Sequence, residues 1–519
     1  MLNFNKKENM KRILYSILIT GTLTTTINSC SNDYLENYTP GALTEEVAIT
    51  NSSDLQRLLN STLGIISSRS ETLFNSVFTD EIGIGFVNGG QGLTDDWVFF
   101  AAPTSSGPSS IWNSSYIAIA RINRIIEYAD IITPANPDDA KVIARYKAEA
   151  LVLRAYLHLK VLAYFTTDMK DDNALAGIKS DRVYISIETD HARVTNGEMY
   201  SFIHADLDSA ISIYNTVNPP ANPVGSATIF PSLNLAKFVK ARAYSYKGDY
   251  TNAELWADDV IANSGIVLAS TANYTNLFFT DTEPANTEVI FRLKRTQQQN
   301  SQTTNLGNGY AFATSTVNGS PYFEIGRALF NKIPTNDVRY TAIVHNSSII
   351  DPNYATSPDF RNTDKLILGK HRGNSARGVL NVDFKLARIS EMYFIKAEAR
   401  VNAGDLTGAG TVLKQVLDRR FTTAQNAPTF SNAQVAWSYI LNQRRIEFAF
   451  EAYRFIDIKR LGTLAGQGID RDPADYSSTS ANYPGANPAN LPLDSYKWAL
   501  PIPQSETRVN KIVQQNPGY

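Results

Sequence analysis

Apolar positions in the first 217 residues recur at helical spacing. In "SSDLQRLLNSTLGII" (52–66), Leu55, Leu58, Leu59 and Leu63 share one face, which predicts a helix opened by Ser52 or Ser53 as N-cap. A turn-rich interval, 86–110, separates it from a helical pattern over 111–130. The next block, "ARYKAEALVLRAYLHLKVLAYF" (144–165), places Ala148, Leu151, Val152, Ala155, Leu159 and Leu162 on one face. Residues 198–217, "EMYSFIHADLDSAISIYNTV", read as a further amphipathic helix.

Two later blocks carry more than periodicity. "LNLAKFVKARAYSYKGDYTNAELWADDVIANSG" (233–265) divides into two helices around "KGDY". Ala241, Tyr244, Gly248, Asp249, Tyr250 and Ala253 match the tetratricopeptide helix–turn–helix pattern, with Gly248 at the turn. "EMYFIKAEARVNAGDLTGAGTVLKQVL" (391–417) repeats it, with Gly404, Asp405 and Ala409 at equivalent places. The copies are far apart, which predicts an interrupted helical scaffold and not a tandem array. Between them, 270–385 is loop-rich with strand-like runs such as "EVIFRLK" (288–294). A late helical block covers 440–462, and 466–495 reads as a long surface loop rich in Pro, Gly, Asn and Ser.

The N-terminus follows a different logic. Basic "KKENMKR" (6–12) precedes mostly apolar "ILYSILITGTL" (13–23), and small polar residues then lead to Cys30, the chain's single cysteine. This order is that of a cleaved targeting signal, and the apolar run is short for a membrane span. Ile27 and Ser29 supply the apolar and small positions before a cysteine that is acylated in bacterial lipoprotein signals, which Cys30 therefore resembles. The expected organisation is a signal peptide over 1–29 and a lipid-anchored leader over 30–50. An N-terminal region over 51–225 and a C-terminal region over 226–519 then form one globular body.

Composition removes several chemistries. The chain has 519 residues with 48 Lys+Arg against 50 Asp+Glu, so nothing in its charge points to nucleic acid. One cysteine and 5 scattered histidines offer no zinc-type ligand set, and no cofactor is expected. Structural calcium held by loop oxygens leaves no sequence pattern and stays open. "GIGFVNGGQG" (83–92) lacks the Lys-Ser/Thr of a phosphate loop, and a Gly-x-Ser-x-Gly elbow is absent. The charge-dense block "QRRIEFAFEAYRFIDIKR" (443–460) spaces Arg444/Glu447, Arg454/Asp457 and Asp457/Arg460 three apart. With Phe448, Phe450, Phe455 and Ile458 interleaved, it reads as a partly buried ion network, not as catalytic machinery.

Taken in order, these blocks resemble the SusD/RagB family of Bacteroidetes nutrient-uptake outer-membrane lipoproteins. The resemblance rests on "CSNDYLE" after the signal and "AEALVLRAYLHLKVLAYF". It also rests on Arg193, Tyr200, Asp206, Leu207, Ala210 and Ile211, on "RISEMYFIKAEARVNAGD", on the 443–460 block and on the closing "LPIPQSE…NPGY". The sequence departs at Gln443, Ala452 and Tyr453, where the family usually has Glu, Gly and His. The resemblance implies a mostly α fold in which four tetratricopeptide-like helical pairs carry a loop-rich binding face with a few short strands. It implies a non-catalytic, lipid-anchored protein on the cell surface that captures oligosaccharide. The implied partner is a SusC-like TonB-dependent β-barrel, on which the protein sits as a lid. A peptide or another nutrient as ligand, or a surface glycosidase, are the alternatives.

Sugar rings stack on aromatic faces, so loop aromatics are the candidate contacts. Trp97 in "GLTDDWVFF" is the first, with Asp80 as a hydrogen-bonding partner. Tyr310, Phe312 and Tyr322 form a second cluster, whereas Trp112, Trp256 and Trp498 read as scaffold. On this reading Trp97→Ala weakens glycan binding and leaves stability nearly unchanged.

Overall fold

Asn51, not Ser52 or Ser53, opens the first helix. In the computed structural model its side-chain oxygen accepts from the amides of Ser53 and Asp54 (3.0 and 3.2 Å), and Asp54 accepts in return from the Asn51 amide. This reciprocal cap makes Ser52 the first residue of α1 (Ser52–Ile65). The structure describes residues 48–66, 69–84, 95–184, 190–219, 228–281, 284–295, 323–357, 363–371, 373–374, 378–379, 381–476 and 490–519. Cys30, Tyr310, Phe312 and Tyr322 lie outside them.

Next come α2 (Arg69–Phe78), α3 (Ser106–Ile131), α4 (Pro137–Phe165) and α5 (Asn196–Thr216). Asn136 caps α4, and Pro137 supplies its first turn without losing a needed amide. The expected single apolar face of α4 is corrected: every residue from Ala148 to Phe165 is buried. Helices α1, α3 and α5 pack around it, so no face is left to water. Its charges are therefore paired. Arg154 donates to both oxygens of Asp206 (2.8 and 2.7 Å), and Lys160 donates to Glu71 (2.5 Å).

The two tetratricopeptide-like blocks form as the spacing predicts. Helices α6 (Leu233–Lys247) and α7 (Tyr250–Asn263) meet at Gly248, whose φ of 82° is the left-handed geometry that a glycine tolerates. Helices α8 (Ser390–Asn402) and α9 (Leu406–Leu417) turn in the same way at Gly404, and Asp249 and Asp405 cap the second helix of each block. Helix α8 packs on both α9 and α7, so copies remote in sequence stack side by side. Ala253 and Ala409 are fully buried.

The late block is not one helix. It splits into α10 (Ala433–Glu447) and α11 (Arg454–Ala465), because Phe450 and Ala452 adopt φ of 62° and 66°. Carbonyls freed at this break find side-chain donors. Lys370 donates to the carbonyls of Glu447 (3.1 Å) and Ala449 (3.0 Å), and His371 lies 2.7 Å from that of Phe450. The break also re-sorts the ion pairs. Asp457–Arg460 forms at 3.0 Å, but Arg444 turns to Asp457 (2.8 Å), Arg454 to Asp80 (2.8 Å), and Glu447 to Arg388 (2.7 Å) and Arg420 (2.9 Å). All of these side chains are buried, as a structural ion network requires.

Strands are short and pair only as antiparallel ribbons among the described residues. In chain order they are β1 (Ile82–Ile84), β2 (Leu175–Ile178), β3 (Arg193–Thr195), β4 (Val289–Leu293), β5 (Phe323–Ile325), β6 (Gly373–Asn374), β7 (Gly378–Val379) and β8 (Phe384–Arg388). They join as β1–β5, β2–β3, β4–β8 and β6–β7. The C-terminal signature ties back to the centre: Asn516 donates to the carbonyls of Phe165 and Leu500 and accepts from Arg193. No helix among the described residues is long and apolar enough to cross a membrane.

Candidate functional site

The β1–β5 ribbon brings together two segments far apart in sequence. Ile82, Gly83 and Ile84 lie opposite Ile325, Glu324 and Phe323. Ile84 and Phe323 therefore lie at the same end of the ribbon. Asp475 sits against Gly83 so closely that a Cβ there would lie 2.6 Å from its carboxylate. That carboxylate accepts the Arg327 amide (3.2 and 3.1 Å), which places the chain before residue 477 beside the same ribbon. The described residues Ile84, Phe323 and Asp475 thus lie around one ribbon. Tyr310, Phe312 and Tyr322 lie outside the described residues.

Trp97 and Asp80 were expected at this surface, and the structure corrects both. Trp97 sits on a 3-10 turn (Asp95–Val98) and is 1 % exposed. The Arg471 guanidinium covers its indole, 4.1 Å from the ring centroid, so no ring face is offered to a sugar. Asp80 is 1 % exposed and accepts from Arg454 through both oxygens (2.8 Å each) and from the Asp470 amide (2.8 Å). Burial alone would raise its pKa, but the Arg445 and Arg454 guanidiniums hold it well below the usual carboxylate range. Its acceptor capacity is used inside the protein. Trp112 and Trp498 are buried, as expected of scaffold residues, while Trp256 is half-buried beneath the Lys240 amine (4.5 Å).

A described aromatic beside this ribbon is Tyr354. Its half-buried ring lies 3.7 Å from the Arg327 guanidinium carbon. Its hydroxyl donates to Asp472 (2.9 Å) and accepts from Asn331 (2.9 Å), which fixes the ring plane. Arg327 is itself held by Asp364 (2.8 Å) and the Asp351 carbonyl (3.0 Å). Tyr354 lies in "DPNYATSPD", a polar turn-rich stretch like those that carry the other candidates. The signal was a loop tyrosine among Pro, Asn and Asp. Among the described residues no group of His, Cys, Asp or Glu is arranged to hold a metal ion.

The chain belongs to the SusD family, whose description matches residues 275–519, and residues 33–218 match the description "Starch-binding associating with outer membrane". It is 24% identical to SusD-like protein P2 of Formosa agariphila over 533 aligned positions, covering 95% of this chain and 97% of that protein. A SusD superfamily protein from Bacteroides thetaiotaomicron shares the fold with a TM-score of 0.73 and 22% identity, covering 90% of this chain and 100% of that one. Surface glycan-binding protein A from Bacteroides fluxus does so with a TM-score of 0.65 and 19% identity, covering 91% and 100%.

Proposed function

We propose that this protein is a non-catalytic, surface-exposed glycan-binding lipoprotein that captures oligosaccharide for a SusC-like TonB-dependent β-barrel and acts as its lid. The observation that carries the binding part is the clamped, half-buried ring of Tyr354 beside the β1–β5 ribbon. A ring held rigid in this way loses little freedom when a pyranose stacks on it. Tyr310, Phe312 and Tyr322, in a segment that ends at the same ribbon, are the further proposed contacts. Family membership and the glycan-binding relative support a saccharide as ligand. Cys30, at the end of the targeting signal, is the proposed lipid attachment, and the outer membrane the proposed location.

A glycan array with the purified soluble body tests the reading. Retention of one glycan class, without release of shorter products, is the expected result. Tyr354→Ala and Tyr310→Ala should each weaken it about tenfold or more at an unchanged melting temperature, about 1.4 kcal/mol. Capture of peptides instead of glycans, or appearance of cleavage products, overturns it. Co-purification with a co-expressed SusC-like barrel tests the partner.

A further inference from the structure

A cleft of ≈ 460 Å³ opens between the C-terminal end of α4, helix α11 and residues 493–499, and it shares no lining residue with the β1–β5 ribbon. Its volume lies in the range of small-ligand sites. Two amines line it. Lys459 on α11 donates to the carbonyls of Ala163 (2.8 Å) and Thr166 (2.6 Å) and so caps α4, which occupies two of the three donors of an ammonium. Lys170 is exposed, and its stem packs over Gly248. Among the described residues neither amine lies within ion-pair distance of a carboxylate. Partial burial pulls both below the ordinary lysine range, Lys459 to about 7, with Arg460 adding to the effect at Lys170 and the Asp168 carboxylate opposing it at both.

The same cleft is edged by an aromatic ring. Tyr496 is 47% exposed. Gly518 presses against its ring, where a Cβ would come within 2.4 Å, and Tyr519 meets it edge-on at 5.1 Å. Its plane is therefore fixed by the C-terminal turn. Thr463 adds a hydroxyl, and Asp168 and Asp494 add two carboxylates along the wall. An aromatic platform, hydrogen-bonding groups and two amines without a direct ion pair among the described residues fit a hydroxylated ring that carries an anionic group.

We propose that this cleft is a second ligand site, for an acidic sugar of one or two rings whose carboxylate or sulfate ester meets Lys459 and Lys170 while the ring packs on Tyr496. The proposal does not depend on the ribbon-end reading. Titration calorimetry with glucuronic acid, glucose 6-sulfate and glucose tests it. At least one acidic sugar should bind about tenfold more tightly than glucose, about 1.4 kcal/mol, and which one does identifies the anionic group. Lys170→Gln, at an exposed position, should abolish that preference at an unchanged melting temperature. Tyr496→Ala should weaken acidic sugar and glucose alike, and Tyr354→Ala at the ribbon end should change neither. Equal binding of glucose, no binding of either acidic sugar, or a preference that survives Lys170→Gln overturns the proposal.

Discussion

The guanidinium of Arg471 lies over the indole of Trp97, 4.1 Å from the ring centroid, and donates to the carbonyl of that same residue (2.7 Å). Its other nitrogens donate to the carbonyls of Thr79 (2.6 Å) and Val77 (2.9 Å), near the end of α2, and it also faces Phe99 at 4.4 Å. Trp97 is thus half of a clasp that fastens the 95–98 turn to α2. Trp97→Ala removes a fully buried indole and should destabilise the fold by about 3–5 kcal/mol. Denaturant titration measures this directly. A folded protein of near wild-type stability with lost glycan affinity would return Trp97 to the ligand face.

The helices and their turns were legible in the sequence because both are local. Gly248 and Gly404 stand at left-handed turns, and the caps Asp249 and Asp405 follow them. Exposure at Trp97 was not legible. A tryptophan in a polar stretch reads as available, and its cover comes from Arg471, 374 residues away in sequence. The same holds for Asp80, whose partner Arg454 is also 374 positions distant. Block 443–460 was legible as an ion network in composition, but its pairs were not. Helical spacing presumes an unbroken helix, and the positive φ at Phe450 and Ala452 ends it. Tyr354 was overlooked because nothing local marks the Arg327 guanidinium that supports its ring.

Asp80→Asn should act on stability and not on binding. The carboxylate neutralises Arg454 and contributes to Arg445 (3.4 Å), and all three groups are buried. Replacing it leaves buried cations short of counter-charge, a loss of about 3–5 kcal/mol. Chemical denaturation reads the loss, and glycan affinity of the folded fraction should stay at the wild-type value. Wild-type stability in the variant would sink this account.

Glu81 gives the fold a pH dependence with a definite sign. It is buried beside Asp80, accepts from the Phe450 amide (2.9 Å) and the Ser76 hydroxyl (2.8 Å), and burial pushes its pKa up to about 7 from 4.5. Between those values the folded state keeps a proton that the unfolded chain has released, so stability falls as pH rises through this window. Gln fits the same contacts, with its oxygen toward Phe450 and its amide group toward Ser76. Glu81→Gln should therefore melt higher than the wild type near and above pH 7, and the gap should shrink toward pH 4. A gap that does not vary with pH would assign the effect to packing.

On the proposed lipoprotein reading, Cys30 carries the covalent lipid. Expression of the full chain with labelled palmitate should label the wild type and not Cys30→Ser. The serine variant should leave the membrane fraction while its body keeps the same melting temperature. Membrane retention without label would point to another means of attachment.

Ala452 tests the break between α10 and α11 most simply. Its φ of 66° is strained for a residue with a Cβ, and it occupies the position where the family usually has glycine. Left-handed geometry costs a non-glycine residue about 1–2 kcal/mol, and glycine returns about 0.4–1 kcal/mol of this through the greater freedom of the unfolded chain. Ala452→Gly should then stabilise by about 0.5–1 kcal/mol, seen as a higher melting temperature. Phe450 shares the geometry at 62° but not the prediction, because its side chain is fully buried and its truncation removes that packing. Phe450→Gly should destabilise by about 3 kcal/mol or more. Opposite signs at two positions of one turn separate backbone strain from side-chain burial. A loss at both would mean that the Ala452 methyl contributes more by packing than its backbone costs.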